Sequence, residues 1–75
     1  MKAGTVKSAV WATRKDRGLT GQTLLEVELA DGTVVACDRV GAGNGDRVLV
    51  AFGAAARWDS PAVPTDASVV AILDP

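Results

Sequence analysis

Three places in this 75-residue chain carry residue types and spacings worth testing for chemistry. The first is the glycine loop Gly41-Ala42-Gly43-Asn44-Gly45-Asp46, which invites a phosphate-binding reading. Its spacing is Gly-x-Gly-x-Gly, not the dinucleotide fingerprint, and a strand follows where a helix N-terminus is needed. A turn that passes close to another backbone is the better reading. The second is the acidic pair Glu26 and Glu28, two residues apart and therefore on one strand face. That face is the wet one, so a solvated surface is the better reading than a general acid–base pair. The third is Cys37, mid-strand with Arg39 two residues on, which reads as a small buried apolar filler and not as a reactive thiol.

The wider inventory excludes more than it offers. The chain has no histidine, so its serines and threonines lack the usual activating base. No catalytic residue, cofactor or metal site is expected. A single cysteine forms no intrachain disulfide and cannot by itself close a zinc site. Eight basic and nine acidic side chains leave a net charge of −1, unlike the basic footprint of nucleic-acid binding. Trp11, Trp58 and Phe52 are the aromatics, too few for the stacking platforms of a single-strand-binding barrel. The two tryptophans read as core or interface anchors. Arg57, closing an alanine run, reads as a structural clamp on a carboxylate (Asp66 or Asp59) or on backbone carbonyls.

Short apolar runs punctuated by glycine are the elements that position these residues. Ala3 to Thr13 is expected as a first strand and Arg14 to Gly21 as a polar loop. Gln22 to Leu29 is the clearest strand: Leu25, Val27 and Leu29 alternate with Glu26 and Glu28. Asp31-Gly32 signals a tight hairpin, and Thr33 to Val40 returns beside it. Arg47 to Phe52 is apolar enough to be buried on both faces, and Gly53 to Arg57 forms one helical turn. Trp58 to Asp66, with two prolines, is an extended loop before a last strand from Ser68 to Leu73. Five such strands predict an all-β fold, a small OB-like barrel with one short helical turn between strands 4 and 5. Residues 1–75 read as a single domain.

A domain near this size buries only about 60% of the surface that its unfolded chain exposes. Disulfide and metal are excluded, so association is the remaining way to add stability. The 48% apolar content points the same way. Lys2 is not followed by an apolar segment, so no secretory signal is expected. Val48 to Ala56 is too short to cross a bilayer. A cytoplasmic location suits the unpaired Cys37.

The residues also resemble a family. Val10-Trp11-Ala12-Thr13-Arg14-Lys15-Asp16, Leu19-Thr20-Gly21 and Leu24-Leu25 are similar to the opening of the EutN/CcmL family of microcompartment vertex proteins. The resemblance continues through Asp38-Arg39-Val40-Gly41-Ala42-Gly43, Gly45-Asp46 and Val48-Leu49-Val50. It ends in Gly53, Ala55-Ala56-Arg57, Pro64-Thr65-Asp66-Ala67 and Val69-Val70-Ala71-Ile72-Leu73-Asp74. It implies an OB-related barrel, assembly into a homopentamer and a structural role in a bacterial microcompartment shell, beside hexameric shell proteins. Hexagons tile a flat sheet, and closing a shell requires pentagons. The chain is short for the family, with a tight hairpin at Asp31-Gly32 and a brief Trp58 to Val63 segment.

In such a ring, Trp11, Arg57, Val70 and Ile72 are the expected subunit interface. Gly41, Ala42 and Gly43 are expected near the symmetry axis, where converging backbones favour small residues. An OB-like binding module for single-stranded nucleic acid or a peptide is the alternative reading.

Overall fold

A computed structural model describes residues 1–57 and 59–75. Trp58, read above as an anchor, lies outside the described residues. The strands are β1 (Lys2–Val10), β2 (Leu24–Leu29), β3 (Gly32–Asp38), β4 (Arg47–Phe52) and β5 (Ala67–Ile72). They close in the order β1-β2-β3-β5-β4, with β4 returning to β1. All pairings are antiparallel except β3 with β5. Closure covers most of the strand edges, although β3 meets β5 only through Cys37–Ser68 and Asp38–Val69. This is the expected five-stranded barrel, with one 3₁₀ turn at Gly53–Arg57 between β4 and β5 and a second, not foreseen, at Arg17–Leu19.

Alternation decides which residues fill the interior. Val6, Leu25, Val27, Ala36, Val48, Val50, Ala67 and Val69 form the buried core, with Ala9, Leu29, Val34, Ala42 and Phe52 packed against it. β-Branched valines suit a pleated, tightly curved wall. The outward residues Cys37, Ala51 and Ser68 are buried as well, each 4% exposed or less. They lie side by side in register, and the Gly53–Arg57 turn folds back over β4 and β5. The Ser68 hydroxyl donates to the Ala56 carbonyl at 2.6 Å, which satisfies a polar group inside this second, smaller core.

Strand ends differ from the sequence reading where pairing runs out. β1 stops at Val10 because Val10 pairs with Leu24, the first residue of β2. Trp11 to Thr13 therefore continue without a ladder. β3 ends at Asp38, whose carboxylate turns the following chain. The hairpin loop is Ala30-Asp31, and Gly32 takes the positive φ of 142°. Lys2 ties β1 to this hairpin with a 2.7 Å ion pair to Asp31. The Lys2 hydrogen bond, then its charge, lowers the Asp31 pKa below its usual 3.8. That small surface contribution is present above the ordinary carboxylate pKa and fades as pH falls through the lowered value.

Gly4 sits where β1 crowds β2. A Cβ there would lie 2.7 Å from the Glu28 carbonyl oxygen and 2.8 Å from both Val27 Cγ1 and Leu29 Cδ2. Only glycine lets β1 pass β2 at this distance. Overpacking of this kind costs about 1–3 kcal/mol, so Gly4→Ala is expected to lower Tm by several degrees at fixed protein concentration. Thermal melting followed by circular dichroism checks it, and an unchanged Tm would mean that β2 yields without cost.

Candidate functional site

The glycine loop between β3 and β4 is held from both ends by carboxylates. Asp38 Oδ1 accepts from the backbone N–H groups of Val40 (3.1 Å) and Gly41 (3.2 Å), and Oδ2 accepts from Ala42 (3.0 Å). Asp46 Oδ2 accepts from Gly43 N–H at 2.8 Å. The loop is also stitched to β1: Gly45 N–H donates to the Val6 carbonyl at 2.8 Å, and Val6 N–H donates to the Asp46 carbonyl at 3.0 Å. Four successive N–H groups are thus consumed by the protein's own carboxylates, whose charge repels an anion. The phosphate reading fails on that ground.

The three residues expected at an axis differ in what constrains them. Gly41 has a φ of 77° and needs glycine for its backbone. Ala42 packs against the core, so its small size serves the barrel interior. Gly43 is exposed, has no positive φ, and a Cβ there would meet nothing closer than Asp46 Oδ2 at 3.9 Å. Positive φ is required at Gly41 and at Gly45 (87°), and not at Gly43. Among the described residues, nothing inside the protomer asks for glycine at position 43.

The expected interface residues are spread around the barrel. Trp11 is 89% exposed, Ile72 45% exposed, and Val70 and Arg57 are half-buried. Arg57 Nη1 donates to the Thr65 carbonyl at 3.1 Å, where Thr65 also latches Ala67 at the start of β5. Its expected partner Asp59 is bound to Arg39 instead. Arg39 is the stronger clamp and is the residue that the sequence reading missed. Its guanidinium reaches Asp59, the Ala56 carbonyl (3.3 Å) and the Ser60 hydroxyl (3.5 Å), while its backbone N–H donates to Val69. It joins the end of β3 to the turn and to β5. Position alone concealed this, because Arg39 and Asp59 stand twenty residues apart.

No reactive constellation assembles around the remaining candidates. Cys37 is 1% exposed. Glu26 and Glu28 face outward on β2, beside Val35 and Thr33 of β3 and Ser8 and Thr5 of β1. Among the described residues, no three His, Cys, Asp or Glu side chains gather to hold a metal, and no helix is long and apolar enough to cross a membrane.

Comparison with known proteins gives this surface a context. A family model described as ethanolamine utilisation protein EutN/carboxysome matches residues 1–74. Carboxysome shell vertex protein CcmL of Thermosynechococcus vestitus is 41% identical over 83 aligned residues, covering 99% of this chain and 84% of that protein. The solved structure of CcmL from Nostoc superposes with a TM-score of 0.91 at 39% identity, covering 99% of this chain and 89% of that one. The GrpN pentameric microcompartment shell protein of Rhodospirillum rubrum gives a TM-score of 0.88 at 38% identity, covering 100% and 94%.

The clamp can be checked in isolation. Hydrogen bonds to a charged group contribute about 1.5–3 kcal/mol, so Arg39→Ala is expected to shift the urea midpoint by a corresponding amount. Arg57→Ala, which loses one described carbonyl contact, is expected to shift it less. The reverse order would return the main clamp to Arg57.

Proposed function

The chain belongs to the family of ethanolamine utilisation protein EutN and its carboxysome relatives, and on that premise we propose that it caps the corners of a bacterial microcompartment shell as a ring of five copies. It is a structural shell vertex protein and not an enzyme. The end-to-end match to vertex proteins carries this reading, and the surface chemistry agrees with it. A barrel whose interior is filled by valine and alanine leaves Trp11, Val35, Val40 and Ile72 partly or wholly in water. A neighbouring copy covers such groups, and a cyclic arrangement needs two different patches per protomer.

Within the ring, the loop Gly41-Ala42-Gly43 is placed at the fivefold axis, and Trp11, Arg57, Val70 and Ile72 in the contacts between copies. Gly43 supports the axial placement: its glycine has no cause within the described protomer, and crowding by four other copies supplies one. The loop's carboxylate-capped backbone gives the axis a rigid edge. Hexameric shell proteins are the expected neighbours on the outside of the ring, and sealing the corner is the role. The alternative of a nucleic-acid module has no support: net charge is −1, and Trp11 is the sole exposed aromatic among the described residues.

Light scattering of the purified protein is expected to return five times the 7.7 kDa protomer mass. A monomer at micromolar concentration would defeat the reading. Gly43→Leu is expected to leave a folded barrel and obstruct or weaken the ring, because no described protomer contact opposes it. An unaltered pentamer with Gly43→Leu would move this loop away from the axis. Ala42→Leu is the poorer probe, since Ala42 packs on the core.

A further inference from the structure

Trp11 presents an unusual geometry for a side chain of its size. It stands 89% exposed directly after β1, at the edge of a cavity of about 180 Å³ that it lines together with Ala9, Val10, Thr23 and Leu24. On another part of the barrel, Arg39, Val40, Ala55, Asp59 and Val70 line an open groove of about 270 Å³. Val40 in that groove is 41% exposed, an aliphatic group that no described residue of the protomer covers. We infer that the ring closes by a knob and a groove: Trp11 of each copy seats between Val40, Ala55 and Val70 of the next, its ring against the Arg39 guanidinium. This rests on the ring proposed above and names which surfaces meet.

Topology places the two parts on different sides of the barrel. In the closed order, the neighbours of β1 are β2 and β4, and the strands that it does not touch are β3 and β5. The knob follows β1, whereas the groove is built on β5, on the residues just past β3, and on the turn that covers β4 and β5. Around a five-stranded barrel, the β3–β5 seam lies across from β1. A protomer carrying complementary features on different sides makes a heterologous, head-to-tail contact, which closes into a ring where the rotation between copies closes. Two matching patches on one side would instead make a twofold dimer.

The groove is also prepared for an aromatic ring. Asp59, the Ala56 carbonyl and the Ser60 hydroxyl hold the guanidinium of Arg39. A planar cation fixed in this way stacks on a tryptophan face without losing further freedom. Val40, Ala55 and Val70 supply the apolar wall that a desolvated indole needs. Tryptophan is also among the residue types that most often dominate interface energetics.

The test uses complementation between two broken interfaces. Trp11→Ala removes the knob and keeps the groove. Ala55→Arg fills the groove, adds a second cation beside Arg39, and keeps the knob. Both positions are exposed, so each variant is expected to retain the circular dichroism spectrum of the barrel. Each alone is expected to be monomeric where the wild type is pentameric, its dissociation concentration raised at least about tenfold. Mixed in equal amounts, they have one intact contact between them and are expected to stop at a heterodimer of twice the protomer mass. Trp11→Ala rings of wild-type strength, or a mixture of folded variants that gives no heterodimer, would overturn the pairing. A Trp11→Ala pentamer that fails only to join facets of hexameric shell protein would also overturn it, assigning Trp11 to the outer neighbours. A wild type that never exceeds monomer mass would instead remove the ring itself, so the two failures are distinguishable.

Discussion

Five strands closed on themselves enclose an interior that valines and alanines largely fill, and β1 passes β2 so closely that position 4 has no room for a Cβ. The rest of the protomer answers to that confinement. Large side chains find little room inside, so Phe52 sits only half-buried at the margin and Trp11 lies fully outside. A second, shallower core then forms on the outer wall, where Cys37, Ala51 and Ser68 are buried side by side and the Gly53–Arg57 turn folds over β4 and β5. Small residues recur there, and their size lets the short 3₁₀ turn approach the sheet closely.

Rigidity at the loops comes from side chains acting on backbone. Asp38 supplies acceptors to three successive N–H groups, and Asp46 supplies one to a fourth, so the Gly41–Asp46 stretch is a fixed edge in spite of its glycines. Asp16 serves the Arg17–Leu19 turn in the same manner through Gly18 N–H. Gly18 in turn lies where a Cβ would strike Pro64, which brings the β1–β2 loop against the segment leading into β5. Arg39 completes the set by binding the end of β3 to the covering turn. A vertex component has to present fixed angles to its neighbours, and these local bonds fix them without a large core.

Local features were legible in the sequence because their causes are local. The alternation of Leu25, Val27 and Leu29 gave the inward face of β2, and the apolar run Arg47 to Phe52 matched β4 residue for residue. Gly53 to Arg57 was likewise read as a helical turn. What escaped was set by distant partners. The parallel seam of β3 and β5 depends on a crossover that no hydrophobic period encodes. Gly4 resembles any glycine near a terminus until β2 is laid beside it. Asp59 was offered to Arg57 because the two are close in sequence, whereas the fold brings Arg39 to it. Asp38 and Asp46 had a usable signal, an aspartate shortly before or after a glycine run, which is the side-chain-to-backbone pattern of turns.

Small size and ring formation are linked through stability. A barrel of 75 residues has little stability to spare, and association with identical copies stabilises the folded state by mass action. A heterologous contact suits this need, because closing five protomers covers both patches on every copy and leaves no unsatisfied end. In the proposed ring, the apolar groups exposed on a lone protomer are the groups that neighbouring copies cover. Strand order sets β1 across from the β3–β5 seam, in a chain that closes β1-β2-β3-β5-β4. The same closure that crowds the interior also separates the knob at Trp11 from the groove at Val40 and Val70, the two surfaces proposed to meet.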